Sequence, residues 1–216
     1  MLAQSRFHLA ASRLPGTRDK EYVAQMALSR TILALLAALL LGAATPGERL
    51  YAVDAAASSL SAKVPFLGIG SKSAGFPSVS GSIRLSGARP QDISLDVTID
   101  ARALTAPDRL TLNRLKSENF FWVEKYPTVR FVGHEMALTS PTSGMVKGEL
   151  SARGVSRPVT LDVTFDRAPA TALPGEAITL TGATKINRYD FGMKSYGLIV
   201  GKWVNIQLKA RMVPQA

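Results

Sequence analysis

The sequence predicts an all-β domain: an eight-stranded antiparallel barrel with one short helix between the third and fourth strands. Three observations carry that expectation. Apolar residues recur at every second position in run after run, Gly, Pro, Ser and Asn separate the runs, and one segment switches to helical spacing.

The first 25 residues show no sustained hydrophobic period. Met26-Ala-Leu-Ser-Arg30 then leads into the apolar run TILALLAALLLGAA, which ends in small residues. That order is expected of a secretory signal peptide over 26–44, cut near Ala43 or Ala44. Residues 1–25 then read as a non-native extension upstream of a start at Met26. The run is short for a membrane span, which needs about 20 apolar residues, although an uncleaved anchor is the competing reading. Residues 45–216 are one domain's worth of chain, expected in the periplasm or outside the cell.

The candidate strands are 59–66, 79–86, 92–101, 128–135, 145–153, 157–166, 176–187 and 202–212. The third is the clearest, with Ile93, Leu95, Val97 and Ile99 on one face and Ser94, Asp96, Thr98 and Asp100 on the other. The sixth repeats it with Val159, Leu161, Val163 and Phe165. The last sets Val204, Ile206, Leu208, Ala210 and Met212 against Asn205, Gln207, Lys209 and Arg211. Between the third and fourth strands, Leu112, Leu115 and Asn119 fall at three- and four-residue spacing. Thr105 stands three residues before Asp108, like a capping box, and Pro107 suits a first turn. A helix over about 107–120 is expected.

Eight strands with one apolar face each suit a closed up-and-down barrel, which leaves no edge exposed; a two-sheet sandwich is the alternative. The polar faces carry Arg84, Asp96, Lys147, Glu149, Asp162 and Lys209. A lipid-spanning barrel would put apolar residues outward with aromatic girdles, so here the apolar faces are expected inward. Eight strands enclose room for packed side chains or for one small ligand. Gly148, Ala152, Gly182, Thr184 and Ala210 are small inward residues. They fit either a thin apolar cavity or the large–small alternation of a filled barrel, and both readings stand.

Composition narrows the function. The chain has no cysteine and a formal net charge of +10, and the positive excess persists in 45–216. A diffuse positive charge suits a solubilising surface, and after it anionic membrane surfaces or acidic partners. His134 is the one histidine of the domain, without a second for a metal site. GIGSKSAG at 68–75 lacks the phosphate-loop spacing. No nucleophile–base pair stands out, and no basic–aromatic strip suggests nucleic acid. Catalysis and cofactors are therefore not expected.

Three stretches in order, YPTVRFVG at 126–133, GELSARGVSRPVTLDV at 148–163 and INRYDFG at 186–192, follow DRLTLNRLKSENFF at 108–121. Together they resemble the YceI-like family of secreted, lipocalin-like, polyisoprenoid-binding proteins, over roughly 51–213. The resemblance implies a lipocalin-like barrel around an elongated apolar pocket. It also implies a partner that is a long-chain isoprenoid, a quinone tail or another long amphiphile, carried, stored or shielded. The chain departs from the family's usual pattern at Asp54–Ser59, which reads DAAASS instead of carrying His-Ser, and at Gly201-Lys202-Trp203, where an acidic residue is often found. Both stretches are expected near the pocket mouth.

The segment SENFFWVEKYPTVRF holds five of the fifteen aromatics. Phe120, Phe121 and Phe131 are expected either to line and cap one end of the barrel or to pack the helix onto it, and Phe66, Phe76, Leu112, Leu115 and Phe191 are further candidate ligand-binding residues. Trp122 and Trp203 suit a rim that is half wet and half apolar. Arg188 is expected at a head group, or as a turn-stabilising partner of Asp190. Transient membrane contact and a homodimer are further expectations. Two alternatives remain: an envelope stress protein with a filled barrel, and a lipid-modifying barrel enzyme using Arg109, Arg188 or Asp190.

Overall fold

The computed structural model describes residues 47–86, 89, 91–173 and 175–215. The expected extension over 1–25 and signal peptide over 26–44 lie outside them. The strands are β1 (Glu48–Phe66), β2 (Gly70–Gly75), β3 (Val79–Ser86), β4 (Ile93–Asp100), β5 (Thr128–Ser140), β6 (Ser143–Ala152), β7 (Val155–Phe165), β8 (Ile178–Asn187) and β9 (Trp203–Pro214). Every pairing is antiparallel. The order β1-β3-β4-β5-β6-β7-β8-β9 closes through a β1–β9 ladder, so eight strands make the barrel. The ninth, β2, folds back on the second half of β1, Ser61–Phe66 against Gly70–Gly75.

β2 is an addition to the strands expected from the pattern. Its sequence GSKSAG has too few apolar residues to alternate visibly. The first strand also begins earlier than expected, at Glu48 instead of residue 59. Tyr51 and Val53 face in, but the DAAASS stretch then breaks the period.

The helix α1 spans Arg109–Lys116, shorter at both ends than the expected 107–120. Its cap is Asp108, whose carboxylate accepts from the Thr111 N–H at 2.7 Å. Thr105 cannot serve, because its backbone is tied to Gly75 by two hydrogen bonds of 2.9 and 3.0 Å. The helix ends at Ser117, whose N–H reaches back to Asn113 and Arg114. The aromatic run that follows is a set of turns, with the Phe121 N–H donating to Leu115 O and the Trp122 N–H to Ser117 O.

The outer wall carries charge pairs, among them Asp96–Arg130 on β4–β5 and Glu135–Lys147 on β5–β6. Two hydrophobic clusters fill the inside. One centres on Tyr51, Ile83, Met136, Val146, Val163 and Ile178. The other holds Phe76, Ile99, Leu104, Val123, Leu150 and Phe191, beneath α1.

Candidate ligand-binding cavity

An apolar cavity lies between these clusters and touches both. It measures about 200 Å³ as the space open to the centre of a water-sized sphere. One buried water needs only about 10–15 Å³ on that measure, so the barrel is not filled. Val204, Ile206, Leu208, Ala210 and Met212 all line it along β9. Eight residue steps at about 3.3 Å span roughly 26 Å of strand, which makes the space long and thin. The lining is aliphatic and aromatic almost throughout, so ordered water would find few partners.

One end is closed by a clamp. A 3-10 turn at Arg188–Phe191 follows β8, and Arg188 is 3% exposed. Its Nε donates to Gly201 O at 3.0 Å and its terminal nitrogens to Met193 O, Ser195 O (2.9 Å) and Val200 O (2.8 Å). The guanidinium thus gathers four carbonyls, from both ends of the 193–201 segment, over the barrel end. Burial lowers its pKa from the ordinary arginine value, yet a guanidinium keeps its charge. It also lies over the rings of Tyr189 (4.8 Å) and Phe120 (5.7 Å). Among the described residues no buried side-chain polar atom lacks a partner.

The wall is interrupted between β1 and β9. Asp54 pairs with Arg211 and Ser59 with Lys209, so Ala55–Ser58 stand opposite Ala210 alone. This wide bulge is stitched locally. The Asp54 carboxylate accepts from the N–H groups of Ala56 (3.1 Å) and Ala57 (3.3 Å). Ser58 Oγ donates to Asp54 O at 2.6 Å and accepts from the Arg211 N–H at 3.0 Å. Ser58, Ser59 and Lys209 border the cavity here, although its surface is almost wholly apolar.

The model of the YceI-like domain matches residues 51–212. The chain belongs to the YceI-like family. UPF0312 proteins of Pseudomonas putida are 27% identical over 135 residues, which is 62% of this chain and 70% of theirs. Among solved structures, Burkholderia cenocepacia BcnA superposes with a TM-score of 0.65 at 24% identity, covering 74% of this chain and 98% of that one. A polyisoprenoid binding domain from Saccharophagus degradans gives 0.59 at 15% identity, covering 76% and 98%. The YceI protein of Campylobacter jejuni gives 0.57 at 23%, covering 66% and 84%. These likenesses support the lipocalin-like barrel.

The YceI-like motifs meet in space. Tyr126 of the YP stretch lies against Gly154 in the two-residue turn between β6 and β7, where φ is +73°. A Cβ on Gly154 would come within 2.8 Å of the Tyr126 ring, so both conformation and closeness call for glycine. Arg153 of the same turn donates to Gly192 O at 2.7 Å, tying it to the end of the RYDFG stretch.

Of the expected site residues, Phe76, Phe121, Phe131, Arg188 and Phe191 line the cavity. Six others do not. Leu112 and Leu115 pack α1 against the cluster beneath it. Phe120 stacks on Tyr196 with ring centres 5.9 Å apart. Trp122, with φ of +49°, is half-buried against Tyr126, and Lys125 and Arg153 lie over its ring. Phe66 and Trp203 sit at the strand ends, Trp203 43% exposed. Arg188 is not a partner of Asp190, which accepts from the Asn187 amide at 3.0 Å.

The small inward residues divide. Ala152, Thr184 and Ala210 line the cavity. Gly148 and Gly182 do not leave room: a Cβ at Gly148 would come within 2.7 Å of the Phe131 ring, and one at Gly182 within 3.0 Å of Leu208. Larger neighbours occupy that space. Leu60, Ala62, Ile206 and Leu208 are lining residues not singled out from sequence, although the alternation marks Ile206 and Leu208 as inward.

Proposed function

We propose that this protein is an exported, non-catalytic binding protein for one long apolar ligand, an isoprenoid lipid or the tail of an isoprenoid quinone. The observation that carries the reading is the long apolar cavity in a YceI-like barrel. The polyisoprenoid binding domain from Saccharophagus degradans, named for that ligand class, has the same fold. The apolar run over 26–44 supports export to the periplasm.

The β1–β9 break, with Ser58 and Ser59 at its edge, is the place for the ligand's polar end. The tail then runs between β9 and the β4–β7 wall towards Phe191 and Met193. Arg188 serves to hold the barrel end shut, since backbone carbonyls occupy its donors.

A magnitude bears on the mechanism. Moving about 40 chain carbons out of water gains roughly 30 kcal/mol at about 0.8 per CH₂. That exceeds the practical affinity ceiling of about 18–21 kcal/mol. The relevant exchange is with a bilayer, where the tail is already in an apolar medium, so transfer is near neutral and reversible. Carriage, storage or shielding follows from that balance.

The test is uptake from liposomes carrying a prenyl quinone or polyprenol, with protein and vesicles separated afterwards. Ala62, half-buried and in the cavity wall, is changed to Trp to fill the space. Stoichiometric uptake by the native protein and loss of uptake in the folded Ala62→Trp variant are expected. Equal uptake by both, or none by the native protein, would contradict the reading.

A further inference from the structure

Two loops meet at the end of the barrel that Arg188 closes. One is the β1–β2 turn at Leu67–Ile69, and the other is the segment 193–202. The Leu67 N–H donates to Ile199 O at 2.8 Å and the Gly201 N–H to Pro65 O at 2.9 Å, and Phe66 bridges to Val200. Joined in this way, the loops present Leu67, Ile69 and Leu198 at 55%, 95% and 103% exposure. Single exposed aliphatics are ordinary, but three on two hydrogen-bonded loops call for a partner.

The surroundings are basic. Across 63–72 and 185–203 the exposed or half-exposed cations are Lys63, Lys72, Lys185, Lys194 and Lys202, against Asp190 as the one acid. Lys72 is shared with Asp108 of the α1 cap at 3.0 Å. Trp203 stands at the edge of the tip, with Lys185 and Lys202 over its ring at 5.4 and 5.8 Å. Beneath the tip, Arg188 fixes the 193–201 backbone, and Arg188 and Met193 also line the cavity.

We infer that this tip docks on an anionic lipid bilayer. Leu67, Ile69 and Leu198 enter the boundary between head groups and acyl chains, Trp203 lies at the interface, and the lysines meet lipid phosphates. Self-association is disfavoured at the same place, since a two-fold contact would set the basic ring against itself. The purpose of docking, exchange of the cavity's ligand, rests on the proposed function; the contact itself does not.

The test is co-sedimentation of the purified protein with vesicles of phosphatidylglycerol and phosphatidylcholine, and with phosphatidylcholine alone. Binding to the anionic vesicles, weakened by salt, is expected. The double variant Ile69→Asp/Leu198→Asp should bind at least about tenfold more weakly, as should Lys194→Glu/Lys202→Glu, both with unchanged melting temperature. No binding by the native protein, equal binding by the variants, or a native dimer in solution that the aspartates dissociate would overturn the inference. Bound lipid is measured by mass spectrometry on the same samples. Protein that carries no lipid but still docks in this pattern supports the inference and counts against the ligand reading alone.

Discussion

β6 and β9 present the same apolar alternation to the inside of one barrel, yet β6 is the more tightly covered of the two. On β6 the inward residues are Gly144, Val146, Gly148, Leu150 and Ala152, mostly small, and all are buried. On β9 they include Val204, Ile206 and Leu208, which are larger, yet these are only half-buried. The difference is what stands opposite. Phe131 covers Gly148, and Val146 fills the space beside Gly133, so β6 meets the cavity only through Val146, Leu150 and Ala152, whereas all five inward residues of β9 line it. Alternation tells which way a side chain points; it does not tell whether anything meets it there.

The sharpest way to break this comparison is to cut into the packed wall. Met136 is 1% exposed and pairs in register with Val146. Met136→Ala should cost about 2–5 kcal/mol in denaturant unfolding. A cost under about 1 kcal/mol would mean that this wall is also loose. Next comes the closed end, where Arg188→Met leaves four carbonyls without their donor. A loss of about 2–4 kcal/mol is expected, with faster proteolysis in 193–201. Unchanged proteolysis would show that the segment holds without the clamp.

Smaller substitutions sharpen the contrast. Gly148→Ala puts a methyl against Val132 O and the Phe131 ring and should cost about 1–3 kcal/mol. Ile206→Ala on the cavity wall should cost the ligand-free protein only about 1 kcal/mol, because little packs on Ile206 to be lost. The two melting curves side by side test this, and a larger loss for Ile206 would reverse the assignment of the walls.

The smallest effect concerns α1. The Thr111 backbone N–H, then Lys72 and the Thr111 hydroxyl, lower the Asp108 carboxyl to about 2 from the usual 3.8. A depressed carboxylate stabilises the fold fully above its unfolded pKa, and that share is lost as pH falls through the folded value. Stability should therefore drop a little more steeply between about pH 4 and 2 in the native protein than in Asp108→Asn. Parallel curves would remove Asp108 from the account.

The barrel was legible because β4, β7 and β9 each alternate for four or five apolar positions. The pattern does not mark β2, because two side chains per face make no period, and its place is set by pairing with β1. The position of the cavity was only partly legible: Ala152, Thr184 and Ala210 do line it. Gly148 and Gly182 suggested space that Phe131 and Leu208 occupy, while the open stretch lies before the larger residues of β9. Phe120 and Phe121 are adjacent in sequence, yet a turn sends one to Tyr196 and the other to the cavity. Arg188 stood out by its motif, but its partners are carbonyls of 193–201, which no side-chain pattern announces.

The central claim is that the open space before β9 holds a long apolar ligand. Its most direct test is a native mass spectrum of the protein purified from its own envelope, followed by solvent extraction and analysis of what is released. The account predicts one isoprenoid lipid or quinone per barrel. A ligand-free mass, with no uptake from liposomes, would contradict it.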